Sequence, residues 1–389
     1  MRVKGIYSSA YILIATTMIA VGRIYDERLE LFGINFSILL SSLFIILSIP
    51  LFMSVKSISF SSSRRILYFF IGFVTISPLL WSFYGYNEYG VEKYVNFILI
   101  ILPLIFIVTN LFKYKDVSVF FKILLLFITL LSVLGAIKVG ASIERLSVLG
   151  GGPIVFARWM MIGVLILFFL KKTKMVDILL LLLFFFLALA AGSRGPVLAL
   201  VLTFSIYIFL NFQRVIIRLF TTVFLILTIL LLVDHGFSIN DFGKAERLVT
   251  KDSTSENVRL KFAKRSLELV VAYPFGVGIG NWQDYCNKSK PFHLLKHQYP
   301  HNLVFEVFAE LGIIGGILFL LLILKSLYLT YFRMTNISNS YEIYSLLFYL
   351  QIFLFVNSCF SGNLNDARFL FVVIAISLIK EPLIKEKNA

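Results

Sequence analysis

Apolar runs of roughly 17–25 residues recur along this chain from one end to the other. At about 1.5 Å per residue, each is long enough to cross a hydrocarbon layer about 30 Å thick as a helix. Inside that layer the backbone finds no water and must satisfy its own hydrogen bonds, which selects helix over open strand. About twelve spans are expected, over 6–22, 31–54, 66–87, 94–112, 117–138, 154–170, 175–191, 196–211, 215–233, 302–324, 341–361 and 367–380. Hydrophobic residues make up 59% of the 389 positions and charged residues only 15%. A soluble domain has too little polar surface to cover that much apolar side chain. The expected fold class is therefore all-α integral membrane.

A formal charge of +15 would ordinarily raise the question of nucleic acid. Its distribution gives a different answer. With the N-terminus inside, the expected cytoplasmic segments hold seventeen lysines and arginines, from Arg2 and Lys4 to Lys385 and Lys387. The short outer segments hold seven: Arg23, Arg28, Lys93, Lys138, Arg145, Arg194 and Arg368. Basic residues concentrate on the cytoplasmic side of inner-membrane proteins, so both termini are expected there and no nucleic-acid partner is implied. Met1-Arg2-Val3-Lys4 before an apolar run resembles a signal sequence, but the many spans behind it favour an uncleaved first helix. Cys286 lies in a polar stretch and Cys359 in an apolar one, which argues against a disulfide framework.

One segment breaks the pattern of short connections. Residues 234–301 are polar, hold ten lysines and arginines against seven acids, and contain all four histidines: His235, His293, His297 and His301. The expected organisation is membrane helices 1–9 over 1–233, a large periplasmic loop over 234–301, and helices 10–12 with a cytoplasmic tail over 302–389. Loops of this length inside compact proteins usually carry function.

Within that frame a few residues stand out. His301, in Tyr299-Pro300-His301-Asn302-Leu303, marks the point where the loop re-enters the membrane as a helix. Pro300 and Asn302 suit a helix start, and the positive end of the helix dipole disfavours an imidazolium. A neutral imidazole there suits a general base. It equally suits an interfacial histidine with no part in chemistry. Arg194 lies in Gly192-Ser193-Arg194-Gly195-Pro196, a turn whose glycines allow close backbone approach to a ligand. The alternative is a snorkelling anchor. Residues 257–272 read as an amphipathic helix. On its wheel Lys261, Lys264, Arg265 and Glu268 share a solvated stripe, whereas Arg259 falls among Phe262, Ala263, Ser266 and Val270. An arginine off the polar stripe needs a partner, and an anionic ligand is one. Arg145 sits in the glycine-rich stretch before Pro153, and Arg158 lies inside the next span, where a charge is a functional-site hypothesis by default.

Weaker signals are read conservatively. Gly276-Val277-Gly278-Ile279-Gly280 lacks the strand–turn–helix setting of a dinucleotide fingerprint and reads as a turn. Gly312, Gly315 and Gly316 read as close-packing positions. Glu306 and Glu310, four residues apart, could orient His301 or an arginine. No Asp-x-Asp pair suggests a divalent metal, no zinc spacing is present, and no cofactor is expected.

The order of these features resembles the O-antigen polymerase/ligase superfamily. Gly-Ser-Arg-Gly (192–195) opens a span. Glu256-Asn257-Val258-Arg259 and Tyr273-Pro274-Phe275-Gly276-Val277-Gly278 follow in the large loop. His301-Asn302-Leu303-Val304-Phe305-Glu306 then precedes Leu311-Gly312-Ile313-Ile314-Gly315-Gly316. The motifs cover roughly residues 140–320. The resemblance implies a GT-C-like glycosyltransferase architecture in the bacterial inner membrane, acting on an undecaprenyl-pyrophosphate-linked oligosaccharide at the periplasmic face. It implies His301 as the base that deprotonates an acceptor hydroxyl, and Arg194 and Arg259, with Arg145 as a looser match, as the groups that hold pyrophosphate. It also implies an acceptor glycan lipid and admits a chain-length regulator as a partner.

Two readings stand within the superfamily. A polymerase joins O-antigen repeat units, and a ligase transfers finished O-antigen to lipid A–core. The glycine-rich 145–153 stretch and the 41 phenylalanines favour the polymerase. A secondary transporter or lipid-glycan flippase is the rival from another class. It would call for internal repeats and broken or charged helices near the midplane.

Overall fold

The computed structural model describes residues 64–112, 114–139, 146–149, 152–170, 174–211, 253–288, 299–337 and 341–379, with a few single positions between 42 and 49. Among the described residues every regular element is helical. In chain order these are α1 (Arg65–Tyr84), α2 (Glu88–Asn110), α3 (Tyr114–Val139), α4 (Gly152–Leu170), α5 (Met175–Ala190) and α6 (Arg194–Asn211). After them come α7 (Ser253–Ala272), α8 (Trp282–Lys288), α9 (Leu303–Asn336), α10 (Tyr341–Ser361) and α11 (Arg368–Ser377).

Seven of these, α1, α2, α3, α4, α6, α9 and α10, are long and apolar enough to cross a membrane. This is an integral membrane protein. The expected spans 6–22 and 215–233 lie outside the described residues, and 31–54 nearly so. Two further expected spans, 175–191 and 367–380, correspond to apolar helices too short to count among the seven. α5 is roughly 24 Å long and α11 roughly 15 Å, at 1.5 Å per residue. α11 is nonetheless buried from Phe369 to Ser377, so its apolar composition serves a protein interior and not lipid contact. Its last turn is held by cations, which suit the negative end of a helix. Arg333 donates from Nη1 to the Ser377 carbonyl at 2.6 Å and from Nη2 to Ile379 at 3.2 Å, and Arg64 Nε donates to Leu378 at 3.2 Å.

α10 lies at the centre, packed by α9, α6, α4 and α11. Aromatic contacts lock the layers together. Phe70 of α1, Phe319 of α9 and Phe371 of α11 form a triangle with ring centres 5.7–6.3 Å apart. Such rings combine a large apolar area with a preferred geometry.

Two helices depart from the sequence reading in ways that shape the site. α2 starts at Glu88, a turn and a half before the expected 94, because the Asn87 side chain caps it by accepting from the Gly90 N–H at 2.6 Å. α9 is interrupted at Gly312, whose φ of 71° is left-handed. The break frees carbonyls that the connection between α7 and α8 satisfies. Ala309 O accepts from Val277 N at 3.0 Å, Glu310 O accepts from Gly278 N at 2.9 Å, and Ile313 N donates to Pro274 O at 2.8 Å. α7, this connection and α8 thus form a small module docked on the first turns of α9, with its own apolar cluster of Phe262, Leu269, Val277, Trp282, Tyr285, Cys286 and Ala309.

Candidate active site

The site is built around the residue before α9. Asn302 caps the helix with its side chain, accepting from Val304 N at 3.0 Å and Phe305 N at 3.1 Å. His301 therefore stands one position ahead of the cap, with a left-handed φ of 57°. Histidine is among the non-glycine residues that tolerate this region, at a conformational cost. Its ring lies between two aromatic neighbours. Tyr299 is 4.3 Å away between ring centres, and Phe262 of α7 is nearly parallel at 6.4 Å. Phe262 is itself fully buried in the module, so the module fixes one wall of the histidine.

The module is rigid for identifiable reasons. Trp282 Nε1 donates to Ser266 Oγ at 2.8 Å, and Tyr285 donates its hydroxyl to the Tyr84 carbonyl at 2.8 Å. Burial pushes the Cys286 thiol up to about 11, which keeps it protonated and inert at neutral pH. The Gly276–Gly280 turn has a specific job. All three of its glycines have positive φ. A Cβ on Gly276 would stand 2.4 Å from Glu310 O, and one on Gly280 would stand 2.2 Å from Gly90 Cα. Close backbone approach to α9 and to the start of α2 is what the glycines permit. Trp81 Nε1 donating to Ile279 O at 3.1 Å and Asn281 Nδ2 donating to Gly85 O at 2.7 Å fasten the turn to the end of α1.

Beneath His301 lies a buried charge cluster. Lys93 of α2 is 1% exposed and donates to both Glu306 and Glu310 of α9, the latter at 2.5 Å. The second oxygen of Glu306 accepts from Leu364 N at 2.7 Å, in the turn between α10 and α11. α2, α9 and the turn between α10 and α11 therefore meet at this cluster. Sequence reasoning counts Lys93 as an outer-segment cation, and this is corrected. An earlier helix start draws it inside. Glu306 and Glu310 face this lysine, not an arginine. The available signal was the pair itself: two carboxylates on one face of an apolar helix require a buried cation.

The arginines divide. Arg259 is exposed, one turn before Phe262 on the same side of α7, and so stands on the helix that walls His301. Arg265, read from the wheel as solvated, has a side chain only 11% exposed and paired with Glu268 at 2.5 Å, which corrects that assignment. Arg194 opens α6 and is partly buried. A Cβ on neighbouring Gly195 would meet Phe360 Cβ at 3.4 Å, so this turn packs on the end of α10. Since Leu364, just beyond that end, bonds Glu306, Arg194 and His301 lie at the same end of the bundle. Arg158 is tied there too. Its Nη2 donates to Ser361 O at 3.3 Å, and the Asn357 amide, turned with its oxygen toward the guanidinium, accepts from Nε at 2.7 Å. Arg145 lies outside the described residues, as do His235, His293 and His297. Among the described residues no three histidine, cysteine or acidic side chains gather as metal ligands.

Residues 179–320 match a family model described as O-antigen ligase. That stretch supports similarity to the O-antigen polymerase/ligase superfamily. The superfamily match takes in Arg194, Arg259, His301, Glu306, Glu310 and Gly312, and leaves Lys93 and Arg158 outside it. Comparison with curated proteins gives no match. That similarity suggests a membrane enzyme of the glycosyltransferase type acting on lipid-linked glycans in general.

Proposed function

We propose that this protein is an inverting, metal-independent glycosyltransferase that uses an undecaprenyl-pyrophosphate-linked glycan donor at the periplasmic face of the inner membrane, and that it is the polymerase joining O-antigen repeat units. The observation that carries the reading is the pairing of His301 with α7: Phe262 stacks on the imidazole, and Arg259 stands one turn away on the same helix. A base for the acceptor and a cation for the donor then share one rigid support.

In the proposed step His301 takes the proton of an acceptor hydroxyl. The hydroxyl oxygen forms a bond to the donor's anomeric carbon as the bond to pyrophosphate breaks, inverting that carbon. The electron pair leaves with the lipid pyrophosphate. Arg194 and Arg259 face that developing charge, and guanidinium suits it because it binds phosphate bidentately and does not titrate. Fixed positive charge at a leaving group stabilises the transition state more than the ground state. Arg145 is proposed to join them. The acceptor is a second lipid-linked repeat unit.

A ligase reading is favoured by one observation, the description that the matching family model bears. Deleting the gene and resolving lipopolysaccharide by gel separates the two. A cap of a single repeat identifies the polymerase. Full-length polymer left on the lipid carrier identifies the ligase and overturns the assignment.

A further inference from the structure

α7 has an unusual third face. Its buried face carries Phe262, Ser266 and Leu269. Almost opposite, within about 40° of one another at 100° per residue, lie Leu260, Leu267 and Val271. These are 72%, 53% and 84% exposed, and Phe275, just beyond the helix end, is 65% exposed. Lys264 shares this edge, with a stem long enough to lift its ammonium clear. Lys261 and Glu268 lie a quarter turn to one side.

The depth of this face follows from α9. From Ile313 to Asn336 that helix is roughly 36 Å long, enough by itself to cross the hydrocarbon. Exposed Ile313, Ile314 and Ile317 mark where its lipid-facing surface begins. The hydrogen bond from Ile313 N to Pro274 O fixes the end of α7 at that level. The Val271–Phe275 end of this apolar edge therefore stands at the level of the exposed isoleucines of α9.

We infer that α7 lies in the interfacial layer of the membrane at the His301 end of the bundle, with Leu260, Leu267, Val271 and Phe275 inserted among phospholipid acyl chains and Lys264 reaching the headgroups. An amphipathic helix with a basic flank takes this position by burying its apolar edge. It sets Arg259, about a quarter turn from the inserted edge, at headgroup depth. Resting on the proposed function, that is the depth at which the pyrophosphate of a lipid-linked donor sits.

Nitroxide labels on Val271→Cys, Leu260→Cys, Ile317→Cys and Lys261→Cys test it in the full chain, reconstituted in phosphatidylcholine–phosphatidylglycerol vesicles, with buried Cys286 retained and half-buried Cys359 replaced by serine in every variant. Power saturation compares collisions with oxygen, which partitions into lipid, and with a nickel chelate, which stays in water. Val271 and Leu260 are expected to favour oxygen as Ile317 does, and Lys261 to favour the chelate. Val271 and Leu260 as open to the chelate as Lys261 would overturn the inference. So would shielding from both reagents with spin–spin broadening between labelled copies, which would mean a second copy covers the edge. The readout does not involve catalysis, so it stands or fails separately from the proposed activity.

Discussion

At the scale of single residues, His301 and Arg259 are expected to fail in different ways. His301→Ala should abolish transfer and leave binding of the lipid-pyrophosphate donor nearly intact, as read by retention of labelled donor on purified protein. Arg259→Ala should weaken donor binding roughly ten- to hundred-fold, the worth of one charge-assisted contact at ~1.5–3 kcal/mol. Arg259→Lys should recover part of it, since lysine keeps the charge and loses the fork. The control is Lys261→Ala on the exposed side of α7, because Arg265 is engaged with Glu268. Equal damage from Lys261→Ala would reduce the helix to a diffuse basic attractor. Lys93 should behave as a structural cation. Lys93→Met leaves two buried carboxylates facing each other and should cost about 3–5 kcal/mol, seen as a lower unfolding temperature in detergent. Adding Glu306→Gln and Glu310→Gln to the same chain should recover much of that loss. The two carboxylates also bear on metal dependence. They converge, but on an ammonium, and activity is expected to survive EDTA. Loss in EDTA with recovery in magnesium or manganese would overturn the arginine-based account of the leaving group.

At the scale of elements, the break in α9 and the glycine turn act as one joint. Gly276→Ala would press a methyl group into the Glu310 carbonyl and the Gly312 amide, so it should undock the module, lower the unfolding temperature and cut activity sharply. Gly72→Ala, in α1 with open space around it, should be neutral or gain about 1 kcal/mol of helix propensity. If the two variants behave alike, the joint has no structural role. The same region shows where sequence reasoning holds and where it stops. The apolar runs of α4, α6 and α10 are located to within two residues and that of α3 to within three, because lipid and core both demand long apolar helices. The Asn302 cap is legible for the same local reason. The contacts of the glycine turn are not, because its partners at Gly90 and Glu310 are far away in sequence. Lys93 is misread because a lysine at the very edge of an apolar run looks like an interfacial anchor until a neighbouring helix supplies carboxylates. α11 is not separable from a lipid-facing helix by hydropathy, which registers apolarity and not what covers it.

At the scale of the molecule, the described helices fix a common end for His301, Arg194 and the Lys93 cluster, and the remaining question is which side of the membrane that end faces. The sequence answers with charge. Basic residues in short loops resist translocation, while a long segment such as 234–301 crosses largely regardless of its own charge. Lys171, Lys172 and Lys174 follow α4 directly and should hold that connection in the cytoplasm. A phosphatase–fluorescent-protein pair fused after residue 173 should therefore fluoresce without phosphatase activity. Fused after residue 285, beyond α6 and the expected 215–233 span, it should show phosphatase activity without fluorescence. Truncation at these points removes α9–α11, yet the upstream basic residues that set orientation remain, so each fusion reports the native side. If both fusions report the same side, the 215–233 segment does not cross; if they exchange sides, the charge rule misorients the chain. Either result would remove the periplasmic donor from the proposed reaction, because lipid-linked repeat units on the two leaflets meet different enzymes.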